Sequence, residues 1–281
     1  MAENNRHRAE DYIKNLENSN RISEKAIRGA IHELGLFPGC SVLDIPCGIG
    51  NHSVWMAEGN DGIKITGADF AVEHLNYATK LAEEKGLSSQ IVFEKSDINN
   101  LDYLENSFDF VWCSDGLWPG PVETGCLAEE PYEILAEMAG ITKIGGTIAL
   151  LFWSSQKLLP GYPLLESELN ATLAANIPVT PETDPDLHYM RAPLWLKRIG
   201  LKNIKSRTFA ADIRWSADDE DEKSVSGLLD MFWGRAHAEV SPESWSQYKS
   251  ITDLNSENCI FNRPDYAGFL TYTMFTGEVV K

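Results

Sequence analysis

The chain contains no apolar run long enough to span a bilayer core, which asks for about 20 consecutive apolar residues. Its beginning, Met1 to Glu10, is polar and charged and lacks the apolar core of a secretory signal. It also lacks any Cys-x-x-Cys pair. Cys40, Cys47, Cys113, Cys126 and Cys259 are scattered, which argues against a zinc knuckle and a disulfide framework and suits reduced thiols in a cytoplasm. Basic clusters are missing too. Lys197-Arg198 is the densest basic pair, and the net charge is -18, so phosphate backbones are repelled and nucleic acid is not an expected partner. The acidic run from Asp218 to Glu222 reads as a solvated loop or helix start rather than a metal site, and no metal is expected. There is no internal repeat and no low-complexity linker. What remains, 281 residues of ordinary hydrophobic content, is enough for one large α/β domain or two small ones.

The most informative stretch that is present is Ser41-Val-Leu-Asp-Ile-Pro-Cys-Gly-Ile-Gly-Asn-His-Ser53. Apolar residues lead into an acid, Asp44. A Gly-x-Gly turn follows at Gly48 and Gly50, and then a segment able to open a helix. Glycine lets a ligand approach the backbone, and the helix N-terminus behind it offers unpaired N–H groups. A nucleotide-like cofactor is the natural guest.

Around this loop, helices and strands alternate. Helices are expected over residues 6–35, from His52, over 71–85 with Gly86 as C-cap, and over 131–139 ended by Gly140. Strands are expected over 42–45, 63–68, 91–94, 108–113 and 146–153, the last an almost continuous apolar run. This rhythm implies βαβ units, a parallel sheet and helices on both faces. Right-handed crossovers then put the strand C-termini on one edge, where ligands bind. Asp44, Asp69, Asp97 and Ser114 lie at or just past those ends and should converge there. Beyond Trp153 the pattern changes. A helix is expected over 163–173, a short one over 195–199 before Gly200, and a strand over 204–215. Two more helices follow, the second with Ser241 as N-cap and Pro242 at the first position. A final strand covers 269–275, with Gly277 after it.

A dinucleotide and S-adenosylmethionine both suit a glycine loop after a first strand. Ser53 stands where a dinucleotide fold places a third Gly or Ala, a small departure. Asp69 suits the ribose of either cofactor. Three features favour the sulfonium cofactor. Asp44 sits inside the motif, where a carboxylate attracts an ammonium and a sulfonium but repels a pyrophosphate. Ser96-Asp97-Ile98 can offer a carboxylate to an adenine amino group and a backbone N–H to its ring. Lys143-Ile-Gly-Gly-Thr147 precedes the fifth strand, and two late β segments close the chain.

Together these segments resemble the class I S-adenosylmethionine-dependent methyltransferases, well over 37–154 and loosely over the two late β segments. Leu43 to Gly50 is similar to the family's first motif, Thr66 to Asp69 to its second acidic strand end, and Ile141 to Leu150 to its Gly-Gly segment. Cys113-Ser-Asp-Gly-Leu-Trp118 is similar to the loop after strand four in ubiquinone and menaquinone C-methyltransferases. The resemblance implies a Rossmann-like, seven-stranded, mostly parallel sheet whose last strand is antiparallel and inserted beside the fifth. It implies one domain over 1–281: a helical segment at 1–36, a cofactor-binding core at 37–154, and a helical cap from 155–193 and 216–264 over the strand C-termini. The last strands then fall within 194–215 and 265–281. The implied cofactor contacts are Asp44, Pro46, Cys47, Gly48, Gly50, His52, Asp69 on the ribose, Phe70, Asp97 and Ile98 at the adenine, and Ser114. Pro46 and Cys47 depart from the pattern, since many members carry a Gly before the two glycines.

Methyl transfer is an in-line displacement, so the protein must chiefly position the acceptor and exclude water. A base is needed only if the acceptor must lose a proton. His188 and Asp115 are the candidates for base or positioning group, and Trp118, Tyr189 and Trp233 for substrate-lining residues. The late segments are rich in aromatics, including Trp153, Trp195, Trp215, Trp245 and Tyr248, which suggests a small apolar or aromatic acceptor. His7, His32 and His74 read as structural or exposed, and His237 ranks below His188. Cys113 and Cys126 could serve a thiol-dependent metalloid methylation or be small buried hydrophobes. The expected protein is a cytoplasmic methyltransferase that turns S-adenosylmethionine into S-adenosylhomocysteine. Two rivals stand beside it. One is an NAD-dependent oxidoreductase, for which no Tyr-x-x-x-Lys-like signature is present. The other is a non-catalytic binding protein of the same fold.

Overall fold

The computed structural model describes residues 2–121, 126–176, 179–214 and 219–280. Trp215, at the end of an expected strand, and Asp218, at the head of the acidic run, lie outside the described residues. In chain order the elements are α1 (Ala2–Leu34), β1 (Ser41–Asp44), α2 (Asn51–Glu58), β2 (Lys64–Asp69), α3 (Val72–Glu84), β3 (Ile91–Lys95), β4 (Phe108–Ser114), α4 (Tyr132–Ile141) and β5 (Thr142–Lys157). They continue with α5 (Pro163–Asn170), α6 (Leu173–Asn176), α7 (Ala192–Arg198), β6 (Lys202–Arg214), α8 (Asp219–Trp233), α9 (Pro242–Thr252) and β7 (Ala267–Glu278).

The seven strands form one sheet in the order β3-β2-β1-β4-β5-β7-β6. Strands β1 to β5 pair in parallel, and β7 runs antiparallel to both β5 and β6. The last strand is therefore inserted beside the fifth, as the resemblance implies. The central strands are buried because both faces are covered. Leu43, Val111, Ile148, Leu150 and Phe152 are fully buried. They share a core with Leu135 and Met138 of α4 and with Trp195 and Leu196 of α7. Truncating any one of these to alanine is expected to cost about 2–5 kcal/mol, the lost transfer energy plus the cavity left behind.

Contacts divide the chain into two compact units. The larger comprises residues 26–154, 183–209 and 272–281, and the smaller comprises 1–25, 155–182 and 210–271. In the smaller unit Ser241 caps α9, its hydroxyl accepting from the Ser244 N–H at 3.0 Å, with Pro242 at the first helical position. Glu166 is buried there and accepts from the Leu158 N–H at 2.6 Å.

Four glycines play other parts than expected. Gly140 does not end α4. The helix continues to Ile141 and stops at Thr142, whose hydroxyl donates to the Met138 carbonyl at 2.7 Å. The Gly145-Gly146 pair lies inside β5, where the register against β4 shifts between Phe108 and Phe110 and Gly145 adopts φ 82. The strand therefore begins at Thr142 rather than Gly146. Gly277 lies within β7 instead of following it. Among the described residues, no helix is long and apolar enough to cross a membrane.

Candidate active site

The glycine loop, the acidic strand ends and the segments after β4 all belong to the larger unit. Strand β1 delivers Asp44 to the sheet edge. The loop that follows is tied across its neighbours: the Ile45 N–H donates to the Trp112 carbonyl at 2.9 Å, and the Cys47 N–H to the Ala68 carbonyl at 2.8 Å. Gly48 and Gly50 take left-handed φ values of 52 and 82, which cost an L side chain about 1–2 kcal/mol. Space also requires glycine at position 50. A Cβ there would stand 2.6 Å from Ala78 Cβ and 2.9 Å from Phe93 Cζ, while one on Gly67 would fall 2.4 Å from the Phe93 ring. The loop, α3 and β3 therefore close on one another at hard contact.

Two carboxylates dominate the electrostatics. Asp44 is fully buried. Its Oδ2 accepts from the Ser53 hydroxyl at 2.6 Å, while its Oδ1 has no partner among the described residues. Burial pushes the Asp44 carboxyl up to about 7, opposed by Ser53 and reinforced by the nearby charge of Asp69. Asp69 is tied at both oxygens. Oδ2 accepts from the Gly48 N–H and Oδ1 from the Ala71 N–H, each at 2.9 Å, and His74 Nδ1 lies 3.3 Å from Oδ1. Burial raises this carboxyl, but the hydrogen bonds from His74, Ala71 and Gly48 outweigh it and hold it below the usual carboxylate range.

The other expected cofactor residues fall into two groups. Phe70 is exposed beside Asp69, with the Lys95 ammonium 4.7 Å from its ring centre. Asp97 is exposed just past β3 and accepts from the Asn99 N–H at 2.9 Å, and Ile98 is buried. The Ser114 hydroxyl, at the end of β4, is buried and has no partner among the described residues. His52 is held more firmly than its place beside the loop suggests. Its Nδ1 accepts from Trp112 Nε1 at 3.3 Å, its ring stacks on Trp55, and burial lowers it to about 4, so it stays neutral. Cys47 is buried, and burial pushes its thiol far up. Pro46 is half-buried and seats against Gly116, where a Cβ would come within 2.1 Å of Pro46 Cδ.

After β4 the chain turns at Asp115, a non-glycine residue with φ 48. Its Oδ1 accepts from the Trp153 N–H of β5 at 2.9 Å. The Tyr272 hydroxyl of β7 donates to the same carboxylate. Burial raises Asp115 to about 6 against those two bonds. Around it lie aromatic rings. Trp118 packs on Tyr189 at 4.8 Å, and Trp153 on Tyr272 at 5.5 Å. The Tyr189 hydroxyl donates to the Ser154 carbonyl at 3.2 Å, and burial, then the Asp115 charge, push that phenol up. His188 packs on Tyr189 at 4.3 Å, and its Nδ1 accepts from the Met190 N–H at 3.2 Å. That bond occupies the lone pair a base would use and puts the neutral ring's proton on Nε2. Trp233 belongs to the smaller unit, fully buried, donating to Asn170 Oδ1 at 3.0 Å and packed edge-on against Tyr248. Cys113 is buried and its thiol is pushed up to about 12, which suits a packed hydrophobe rather than a reactive group.

A protein-family profile described as a methyltransferase domain matches residues 36–191, more than half of the chain. The chain belongs to this methyltransferase family. Among curated relatives it is similar to the methyltransferase GfsG of Streptomyces halstedii, 26% identical over 45% of this chain and 42% of that protein. It is also similar to the ubiquinone/menaquinone biosynthesis C-methyltransferase UbiE of Bdellovibrio bacteriovorus, 33% identical over 42% of this chain and 46% of that protein. The chain thus matches less than half the length of these relatives. The crystal structure of the YcgJ protein of Bacillus subtilis shares the fold, with a TM-score of 0.51 over 91% of this chain and 98% of that one at 17% identity. With the family established, the dinucleotide reading of the glycine loop loses its support.

The residues present fit S-adenosylmethionine. The buried Asp44 Oδ1 lacks a partner that an ammonium would supply, the glycine loop leaves no Cβ in the way, and Asp69 is fixed and ionised. Three participants were not singled out by sequence reasoning. Ser53 orients Asp44, His74 braces Asp69, and Tyr272 braces Asp115. His74 follows Asp69 by five residues in the first turn of α3, a spacing that could have flagged it. Tyr272 could have been found by laying the last strand beside the fifth.

Proposed function

We propose that this chain transfers a methyl group from S-adenosylmethionine to a small acceptor with an apolar or aromatic body. The observation that carries the reading is the Asp44–Gly48–Asp69 unit. It is an acidic cradle in which Asp69 accepts from the Gly48 N–H and Asp44 from the Ser53 hydroxyl, with one buried Asp44 oxygen left over. In this reading Asp44 receives the ammonium, Asp69 the ribose hydroxyls, and Asp97 with Ile98 the adenine edge, while Phe70 covers the base and Ser114 faces the amino-acid end. When bound, the cofactor supplies an electrophilic methyl carbon. The chain's own task is to hold the acceptor in line and keep water away. Trp118 and Tyr189 supply aromatic faces on the acceptor side, which is the support for an apolar or aromatic body. One relative is named for ubiquinone/menaquinone biosynthesis, in keeping with a small-molecule acceptor. Cys40, Cys47, Cys113 and Cys259 are buried thiols without a disulfide, in keeping with a reducing cytoplasm.

Calorimetric titration with S-adenosylmethionine, S-adenosylhomocysteine and NAD tests the reading. Both sulfur cofactors are expected to bind and NAD is not. Asp69→Ala is expected to lose cofactor binding while remaining folded by circular dichroism. Wild-type protein that ignores both sulfur cofactors would overturn the assignment. Normal binding by Asp69→Ala would remove the ribose role alone.

A further inference from the structure

Asp115 is a half-buried carboxylate with no countercharge. Its partners are a backbone N–H and a phenol, both neutral donors. No lysine, arginine or histidine forms an ion pair with it among the described residues. His188, which packs on Tyr189, is itself held below its ordinary value by burial. Ionised carboxylates in such surroundings are strongly disfavoured unless a cation meets them.

The backbone also holds this group deliberately in place. A φ of 48 costs a non-glycine residue on the order of 1–3 kcal/mol and persists only where the surroundings over-determine it. Here they do. The Asp115 N–H donates to the Leu151 carbonyl at 2.8 Å, its side chain is tied to β5 and β7, and Gly116 rests on Pro46 of the cofactor loop. The carboxylate is thereby fixed beside the loop proposed to hold the methyl donor. Tyr272 bonds it directly, Tyr189 lies within the field of its charge, and Trp118 and Trp153 pack on those two rings. A carboxylate walled by aromatic faces suits an organic ammonium, because the faces attract a cation while its apolar substituents are buried.

We propose that the methyl acceptor is a small amine, received as its ammonium by Asp115 with the rings of Tyr189 and Trp118, and methylated on nitrogen. The inference rests on the methyltransferase reading above and narrows its substrate. The proton that the ammonium must lose passes to the Asp115 carboxylate and then to water. The freed lone pair forms the N–C bond as the C–S bond breaks, its electron pair remaining on sulfur. The methylated product is again a cation and is neutralised by the same carboxylate.

The test is calorimetric titration of the full chain, saturated with S-adenosylhomocysteine, with phenethylamine and with phenethyl alcohol, its neutral analogue. The amine is expected to bind roughly tenfold or more tightly than the alcohol. Asp115→Asn should abolish that preference, and Trp118→Leu, at a half-buried position, should reduce it. Both should bind S-adenosylhomocysteine like the wild type. If the wild type binds amine and alcohol alike, or binds neither, the proposal is overturned. Persistence of the preference in Asp115→Asn overturns it as well. So does an Asp115→Asn variant that loses affinity for S-adenosylmethionine but not for S-adenosylhomocysteine, since the carboxylate would then serve the sulfonium. Should Asp115→Asn fail to fold, an undiminished preference in Trp118→Leu overturns it. Failure of the wild type to bind S-adenosylhomocysteine is a separate result, which removes the methyltransferase reading itself.

Discussion

At Asp44, burial and binding pull in opposite directions. The carboxylate is shielded from water with one oxygen unpaired, which destabilises the ligand-free fold, yet the same oxygen is the anchor offered to an ammonium. Asp44→Asn keeps the shape and an acceptor for the Ser53 hydroxyl and removes the charge. It is expected to raise Tm at neutral pH while weakening S-adenosylmethionine binding by roughly tenfold or more, read by thermal melting and calorimetry. A variant that lost both stability and binding would show that Asp44 acts as a structural tie only. His188 teaches a related lesson. Its position in a loop near the aromatic rings made it a candidate base, but a single hydrogen bond from the Met190 N–H decides its tautomer. Sequence patterns do not register which nitrogen a backbone N–H will reach.

At the level of elements, two glycines that look alike in sequence should respond oppositely to alanine. Gly50→Ala forces a left-handed residue and a Cβ into Ala78 and Phe93, and is expected to destabilise by about 2–4 kcal/mol. Gly140→Ala sits within α4 with no atom within 4 Å of the added methyl, and is expected to stabilise by about 0.5–1 kcal/mol. Urea melts of the two variants check both signs. The pair also shows what could be read in advance. Strands β1 and β4 and the 147–152 stretch of β5 were legible because they are largely buried and their apolar runs are nearly unbroken, while β2 and β3 were legible from the alternation with helices. That Asp44, Asp69, Asp97 and Ser114 stand at or just past the ends of neighbouring parallel strands, on one edge of the sheet, followed from topology. Gly140, Gly145 and Gly277 were misplaced because glycine marks a terminator only when its φ is positive or the chain turns there. Gly140 is helical, Gly277 lies in a strand, and Gly145 turns inside a bulge rather than before a strand. Tyr272 and Trp153 are distant in sequence and meet because β7 is inserted beside β5. That contact depends on strand order, which local periodicity does not encode.

For the whole molecule, the two raised carboxyls set the direction of pH dependence. Asp44 at about 7 and Asp115 at about 6 both stand above their ordinary value of 3.8. Between 3.8 and those values these two carboxyls keep protons that the unfolded chain loses, so their contribution to stability falls as pH rises and levels off above about 7, while His52, lowered to about 4, acts in the opposite sense and offsets part of the fall. The Asp44 share is about 4 kcal/mol across that window. Asp69, held low, acts in the opposite sense, and its contribution is lost as pH falls through its folded value. Melting temperatures from about pH 4 to about pH 7 should therefore decline, and the decline should flatten in Asp44→Asn combined with Asp115→Asn. A slope unchanged in the double variant would contradict the assignment. The seating of Gly116 on Pro46 carries a different consequence, one for how this sequence can diverge. With proline at 46, position 116 has no room for even a methyl group. Gly116→Ala alone should be severely destabilising, and prior replacement of Pro46 by glycine should relieve much of that loss, a coupling that a double-mutant cycle measures. The two positions can change only in that order, so sequences with glycine in place of Pro46 are free to place a side chain beside Asp115, and those that keep the proline are not.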